Sequence, residues 1–474
     1  MDREPSTRRD GFPERAATRH GDRRPGSPCR VGFGIDASPV RVLFPRRGSE
    51  PQGSTAPASI PGWLRPNPVQ NPFLPLPPPL PVADTASSTA AAAATSTAPA
   101  PAPAPSLSPR RIASIDIARF LGICLVFYGH FVEQVMYLGN GTAAQHYKWV
   151  YSFHMPLFFF LAGSAYNEAK LQEKVRNFVG RTARTRLVPF LAFCGLLALL
   201  SLFLPGWFPL AELDSAEGYA TSTWNTLRGM PAFNIPLWFL ACLVSVEVLH
   251  FALGRFWKRT RWKVVAALGC YAVGVWLNRS YDFFGSPYQF WFLHIAVVGY
   301  AFYLAGILTR RSAVLSTPLA TSLVAGAALL CLLGVHLTYD LNQGPFKPPF
   351  EAVVLVTGSF GNVLLFPLTA FLGIGLLLLL GRLLSGVRIL ERLGQMVILL
   401  YCLHGIFYHF VNPPLAAWMA ERFPLDGGWL LFWSAAVTVV SVALTLPFAF
   451  LLGTYLPWLA GRRRPEPTVK PTAA

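Results

Sequence analysis

A membrane-length apolar stretch that carries four ionisable side chains leaves a chain few ways to fold. Residues 110–137, RRIASIDIARFLGICLVFYGHFVEQVMY, are such a stretch, with Asp116, Arg119, His130 and Glu133 inside it. An ionisable side chain at bilayer depth costs at least ~2.5 kcal/mol on insertion scales, so it faces a bundle interior or a wet cavity rather than lipid. Arg119 and His130 stand eleven residues apart, which is three helical turns with roughly 20° left over. They therefore share one helix face, about 16 Å apart along the axis. Asp116 lies one turn before Arg119 and Glu133 one turn after His130. Two readings stay open at this point: a functional stripe along a pore, or two local pairs that neutralise buried charge.

The rest of the chain agrees with a membrane solvent. With 53% apolar and only 13% charged residues in 474, it has too few charges for a soluble protein of its size. The expected fold is an all-α integral membrane protein, a bundle of about ten transmembrane helices. The segments read as roughly Ile112 to Tyr137, Trp149 to Tyr166, Leu187 to Leu204, Leu237 to Leu253 and Val264 to Leu277. They continue with Phe290 to Leu308, Leu319 to Leu337, Ala352 to Leu380, Leu393 to Val411 and Trp429 to Leu452. The fifth is short and the eighth long, so a split or re-entrant piece fits there.

Residues 1–109 differ in kind, holding 22 of the 42 prolines and an Ala/Pro/Ser/Thr tract from Ala83 to Pro109. Such composition builds no packed core and predicts a disordered arm. It has no basic n-region followed by an apolar h-region, so it does not read as a signal peptide. The division is thus an arm over 1–109, a polytopic membrane domain over 110–458 and a basic tail over 459–474.

Basic residues crowd on one side of the alternating spans: Arg110 and Arg111, Lys170 to Arg186, Arg255 to Lys263, Arg310 and Arg311, Arg382 to Arg392, and Arg462 to Arg464. The other side holds Lys148, Arg228, Arg279, Lys347 and Arg422. By the positive-inside rule the crowded side is cytoplasmic, both termini are inside, and the protein sits in the inner (cytoplasmic) membrane. The net charge of +17 is then largely topology and calls for no nucleic-acid partner. Six of the seven cysteines lie inside apolar segments without CxxC spacing, and they read as small core residues rather than disulfides or metal ligands.

In this topology His130, His154, His294 and His404 fall within roughly 6 to 11 Å of the outer hydrocarbon edge. Imidazoles from separate spans at one level point to a shared site. Core histidines bonded to backbone carbonyls remain the alternative for His154, His294 and His404. A zinc site fits poorly, because no paired ligand spacing occurs.

These stretches resemble a known family. SIDIARFLGICLVFYGH, with Arg119 and His130 separated by ten residues, is similar to the first-span signature of the membrane-bound acyltransferase-3 family. FHMPLFFFLAG (Phe153 to Gly163), RLVPF (Arg186 to Phe190), IPLWFL (Ile235 to Leu240) and LGQMVILLYCLH (Leu393 to His404) follow in the family order. They resemble in particular the branch of fucose 4-O-acetylase-like proteins, and the likeness covers about residues 110–455. The resemblance implies transfer of an acyl group, commonly acetyl, from acetyl-CoA to a hydroxyl of a surface polysaccharide or lipid-linked glycan. The acyl-CoA is a donor substrate, and no tightly bound cofactor is implied. After Trp458 only sixteen residues remain, so no appended esterase-like unit is expected.

Within that chemistry, His130 is the expected base or nucleophile, oriented by Glu133. Arg119 would hold the pantetheine or thioester region, and Asp116 would position Arg119. Arg186, in the densest inner basic cluster, is the candidate phosphate contact. Trp238, at the membrane entrance, would form a pocket wall. Tyr401, one turn before His404, would share a hydrogen-bond network with it, and His154 and His404 would line the substrate site. The long loop from Pro205 to Pro236 carries Trp207, Trp224, Asp214 and Glu217, which suit a carbohydrate or an interfacial aromatic belt. A transporter or flippase of glycans or lipids is the rival class, although no internal repeat is visible. Oligomeric state is not legible from apolar surface.

Overall fold

The computed structural model describes residues 112–204, 213, 215–311 and 317–462. Expectations for the arm over 1–109, for Arg110, Arg111, Trp207 and Asp214, and for the tail beyond residue 462 lie outside the described residues. Among the described residues there are fifteen α-helices and no β-strand. The first five are α1 (Ala113–Tyr137), α2 (Gly141–Tyr151), α3 (His154–Ala165), α4 (Val175–Thr182) and α5 (Val188–Ser201). Next come α6 (Ala216–Leu227), α7 (Trp238–Leu253), α8 (Thr260–Ser280), α9 (Leu293–Arg311) and α10 (Thr321–Leu341). The last are α11 (Leu365–Leu383), α12 (Arg388–Gln395), α13 (Val397–Ile406), α14 (Asn412–Arg422) and α15 (Gly427–Tyr455).

α1 is the axis of the bundle. Helices α2, α3 and α11 to α15 all pack on it, and Ile117, Ala118, Ile123 and Val132 on it are fully buried. It has no internal proline, and Asp116 in its first turn suits the positive helix end. It stops at Gly139, whose φ of 85° is a left-handed value that glycine adopts without a Cβ penalty. Asn140 then caps α2 by accepting the Ala143 N–H at 2.8 Å.

Among the described residues, seven helices are long and apolar enough to cross a membrane, or eight if the pair Arg388–Gln395 and Val397–Arg422, bent by 66°, forms one span. The sequence pattern leads one to expect about ten, and the differences have local causes. The stretch Trp149 to Tyr166 breaks at Phe153 (φ −144°, ψ −20°) into α2 and a 12-residue α3. At about 18 Å, α3 is shorter than a ~30 Å hydrocarbon core. α8 is 21 residues long, but Arg261 and Lys263 at one end and Asn278 and Arg279 at the other curtail its apolar run. The long eighth segment does split, because its helical part, α11, begins only at Leu365.

Before Leu365 the chain is irregular yet buried at Ala352, Val353, Val354, Leu355 and Phe360. Non-helical backbone at such depth is tolerated only when its polar groups are met by protein. Here the Val354 N–H donates to the Ser359 carbonyl at 2.9 Å, and the Asn362 N–H donates to Asn342 Oδ1 at 2.7 Å.

The tightest crossing joins α3 and α9. A Cβ at Gly163 would collide with the Tyr303 carbonyl, and one at Gly306 with the Phe160 carbonyl. Small residues that let two backbones meet are the usual means of helix association where no water remains to drive it. This crossing anchors α3 beside α1 and brings Met155 and Phe158 to the same cavity as Arg119.

Candidate active site

Both local pairs on α1 form. Arg119 Nη1 donates to Asp116 Oδ1 at 2.7 Å, and His130 Nδ1 meets Glu133 Oε2 at 2.9 Å. Pairing alone would complete the charge-neutralising reading, but each pair also belongs to a larger polar cluster built by other helices.

The first cluster lines a pocket of about 330 Å³. Asp116 and Arg119 enter it from α1, and Lys170, Arg181, Arg186 and Glu247 enter from the segment after α3, from α4, from the turn before α5, and from α7. Its apolar wall includes Met155, Phe158, Phe239 and Tyr401. Four cations thus face two carboxylates around one cavity, an excess that suits a polyanionic ligand. Burial, followed by the neighbouring Arg181 charge, lowers the Lys170 pKa.

Glu247 is the centre of this cluster and has no counterpart in the sequence expectations. Its side chain is 7% exposed, and its Oε1 accepts from Arg186 Nε at 3.0 Å and Nη2 at 2.8 Å. Its Oε2 lies 3.9 Å from Arg181 Nη1 and accepts from Thr182 Oγ1 at 3.4 Å. A π-helical turn, Ala183–Leu187, makes the convergence possible. Five residues along an α-helix rotate a side chain by roughly 140° from its starting face, whereas i to i+5 closure places both on one side. Arg181 and Arg186 therefore meet a single carboxylate. The available signal was a lone acid inside the apolar run of α7, the same anomaly that marks α1.

The second cluster surrounds His130. Glu133 Oε1 accepts from the Tyr137 hydroxyl at 2.7 Å, and its Oε2 accepts from the Tyr151 hydroxyl at 3.1 Å as well as meeting His130. The Tyr408 ring stands edge-on to the imidazole at 4.8 Å, and the His404 ring lies 5.1 Å away. His404 is wholly buried against Phe127, with ring centroids 4.1 Å apart, and neither of its ring nitrogens has a hydrogen-bond partner among the described residues. His154 packs against Tyr151 at 4.6 Å, with its Nδ1 on the Val150 carbonyl at 3.0 Å.

Three of the four histidines expected at one level therefore gather around Tyr151 and His130. His294 does not join them and stacks on Phe283 at 4.9 Å. His154 also satisfies the alternative expected for it, since it bonds a backbone carbonyl.

Two expectations change. Tyr401 does line the first pocket, but its hydroxyl donates to the Pro236 carbonyl and not into a network with His404, whose ring holds no hydrogen bond among the described residues. The reason is geometric: Pro236 opens the turn before α7 and packs on α13. Trp238 is buried against Phe239 and Phe292 and lies outside the pocket lining, where Phe239 stands instead.

The two clusters are linked along α13. Tyr401 lines the first pocket, and His404, three residues on, sits beside His130. One helical turn thus separates the basic pocket from the imidazole pair.

The family model for an acyltransferase domain matches residues 112–453, from the start of α1 nearly to the end of α15. Nodulation protein NolL of Mesorhizobium japonicum is 34% identical over 89 residues, which is 18% of this chain and 24% of that protein. The chain thus aligns with about a quarter of that relative's length. No solved structure matches.

Proposed function

Because the chain belongs to the acyltransferase-3 family and is a multi-pass membrane acyltransferase, we propose that it moves an acyl group, acetyl in the first instance, from acyl-CoA to a hydroxyl of a cell-surface or lipid-linked carbohydrate. The observation that carries this reading is the two-cluster layout of α1: Arg119 in a basic pocket and His130 braced by a carboxylate, joined through one turn of α13.

The basic pocket faces the cytoplasm in this proposal, where CoA is made, with both chain termini on that side of the inner membrane. Arg186 contacts the phosphates of the donor, and Arg119, held by Asp116, receives the pantetheine arm. The thioester then reaches the level of Tyr401 and His404, next to His130. With its Nδ1 turned to Glu133, the imidazole has Nε2 left to take the proton of the acceptor hydroxyl. The hydroxyl oxygen bonds to the acyl carbon, the carbon–sulfur bond breaks, and the thiolate leaves with the proton returned from the imidazolium. Glu133 orients the ring and stabilises its charged form, as a carboxylate does beside a catalytic histidine elsewhere. His404 and His154 shape the acceptor side, and Trp238 backs the wall that Phe239 presents.

The test is acyl transfer by purified protein in proteoliposomes, with labelled acetyl-CoA on one side and extracted envelope glycans on the other. Label appearing in glycan only when donor and acceptor are on opposite sides supports the layout. Glycan crossing the vesicle wall unmodified would favour a transporter and contradict it.

A further inference from the structure

We propose that Glu247 is a positioning residue for the donor: it converges Arg181 and Arg186 into one clamp for the phosphate-bearing end of acyl-CoA. The proposal rests on the reading of CoA as donor and adds to it a residue and a specificity.

Three observations carry it. Glu247 is a buried carboxylate within a helix whose other polar residues are the neutral Ser245 and His250, a placement that is costly and calls for a purpose. It takes both the Nε and the Nη2 of Arg186, which fixes the plane of that guanidinium and turns Nη1 away from the carboxylate, where it also reaches the Thr185 carbonyl at 3.5 Å. It also holds Arg181 at 3.9 Å through its other oxygen, while Glu173 accepts from Arg181 Nε and Nη2 at 3.1 and 2.6 Å. Two arginines side by side repel each other, and in an open-mouthed pocket they would turn outward to water. Glu173 holds Arg181 from one side and Glu247 draws it toward Arg186 from the other.

The carboxylate does not cancel the attraction for an anion, since Arg119, Lys170, Arg181 and Arg186 still outnumber Asp116, Glu247 and the Glu173 that pairs with Arg181. Its contribution is geometric. A flexible cationic side chain becomes a fixed donor set, so less conformational freedom is lost when the ligand arrives.

The prediction is one of donor selectivity. Acetyl-CoA carries the phosphorylated nucleotide, and acetyl-pantetheine carries the same thioester without it. Glu247→Gln keeps the shape and removes the charge, and it should lower the kcat/KM preference for acetyl-CoA over acetyl-pantetheine about tenfold, mainly through KM. Arg186→Gln should lower the same ratio, and the double variant should lose little more than Arg186→Gln alone, because the two act as one unit. Where Glu247→Gln fails to accumulate, Glu247→Asp keeps the charge but withdraws it by one methylene, and the ratio should fall in the same direction by less.

An equal loss with both donors would mark Glu247 as a structural residue and overturn this proposal while leaving the CoA reading intact. Losses that add in the double variant would also overturn it. Wild-type protein that uses neither donor would remove the CoA reading and this proposal together.

Discussion

Substituting Glu133 by Gln separates the fold of the outer cluster from its chemistry. Glu133 is 8% exposed and serves His130, Tyr137 and Tyr151 at 2.9, 2.7 and 3.1 Å. Gln retains one acceptor oxygen and replaces the other with a donor, so the oxygen that serves Tyr137 or the one shared by His130 and Tyr151 is lost. A hydrogen bond to a charged group contributes about 1.5–3 kcal/mol, and the stability loss should be of that order. The loss in turnover should be larger. Without the carboxylate the imidazolium is less stabilised and the ring is no longer held in the tautomer that leaves Nε2 as base, a change that costs roughly 10²–10⁴ in rate. That is about 3–5 kcal/mol of activation free energy. The assay is the initial rate at saturating acyl-CoA, on protein whose folded fraction is matched by size-exclusion profile. Turnover within twofold of wild type would refute the reasoning, since the network would then be purely structural.

Further outcomes follow from the same geometry. Tyr151→Phe removes one donor from Glu133 and takes the side-chain hydrogen-bond partner from buried Tyr147, and should cost about 1–3 kcal/mol in thermal denaturation with most of the turnover retained. Gly163→Ala or Gly306→Ala inserts a methyl into a backbone carbonyl across the α3–α9 crossing and should destabilise by about 1–3 kcal/mol or more in the same assay. Gly394→Ala, on α12, would press on the Asp116 carbonyl and should raise the donor KM by displacing Arg119; an unchanged KM would count against Arg119 as a donor contact. Because burial lowers the Lys170 pKa, that ammonium discharges below the ordinary lysine range as pH rises. Donor affinity should therefore weaken on the alkaline side, and Lys170→Gln should flatten that limb of a KM-against-pH profile.

The parts of this architecture legible from the chain were the local ones. Spacings of three and eleven residues on one helix placed Asp116, Arg119, His130 and Glu133 correctly relative to one another, because helical geometry translates such spacings directly into space. The expected level grouped His130, His154, His294 and His404 by depth, and three of the four gather around Tyr151 and His130. Depth says nothing of lateral position, and His294 shows the difference by stacking on Phe283 in another part of the bundle.

Contacts between distant segments were out of reach. Arg186 and Glu247 are 61 residues apart, and their meeting depends on a π-helical turn that hydrophobic periodicity does not announce. The seven or eight helices of spanning length among the described residues, against the ten segments expected, differ for a related reason. Hydropathy registers apolar length but not the break at Phe153, nor the buried irregular backbone before Leu365 that other side chains keep satisfied. Tyr401 illustrates the same limit: a network with His404 was expected of it, whereas its bond to the Pro236 carbonyl could be known only once α13 and the turn before α7 were seen together.

The most direct test of the account is acyl transfer by His130→Ala against wild type, using labelled acetyl-CoA, envelope glycans and matched amounts of folded, membrane-inserted protein. The account predicts that wild type labels glycan, while the variant inserts normally, still binds donor through the Arg119 and Arg186 pocket, and transfers at less than about one part in 10² of the wild-type rate. A His130→Ala protein that transfers at close to the wild-type rate would contradict it and send the search for the catalytic group elsewhere in the bundle.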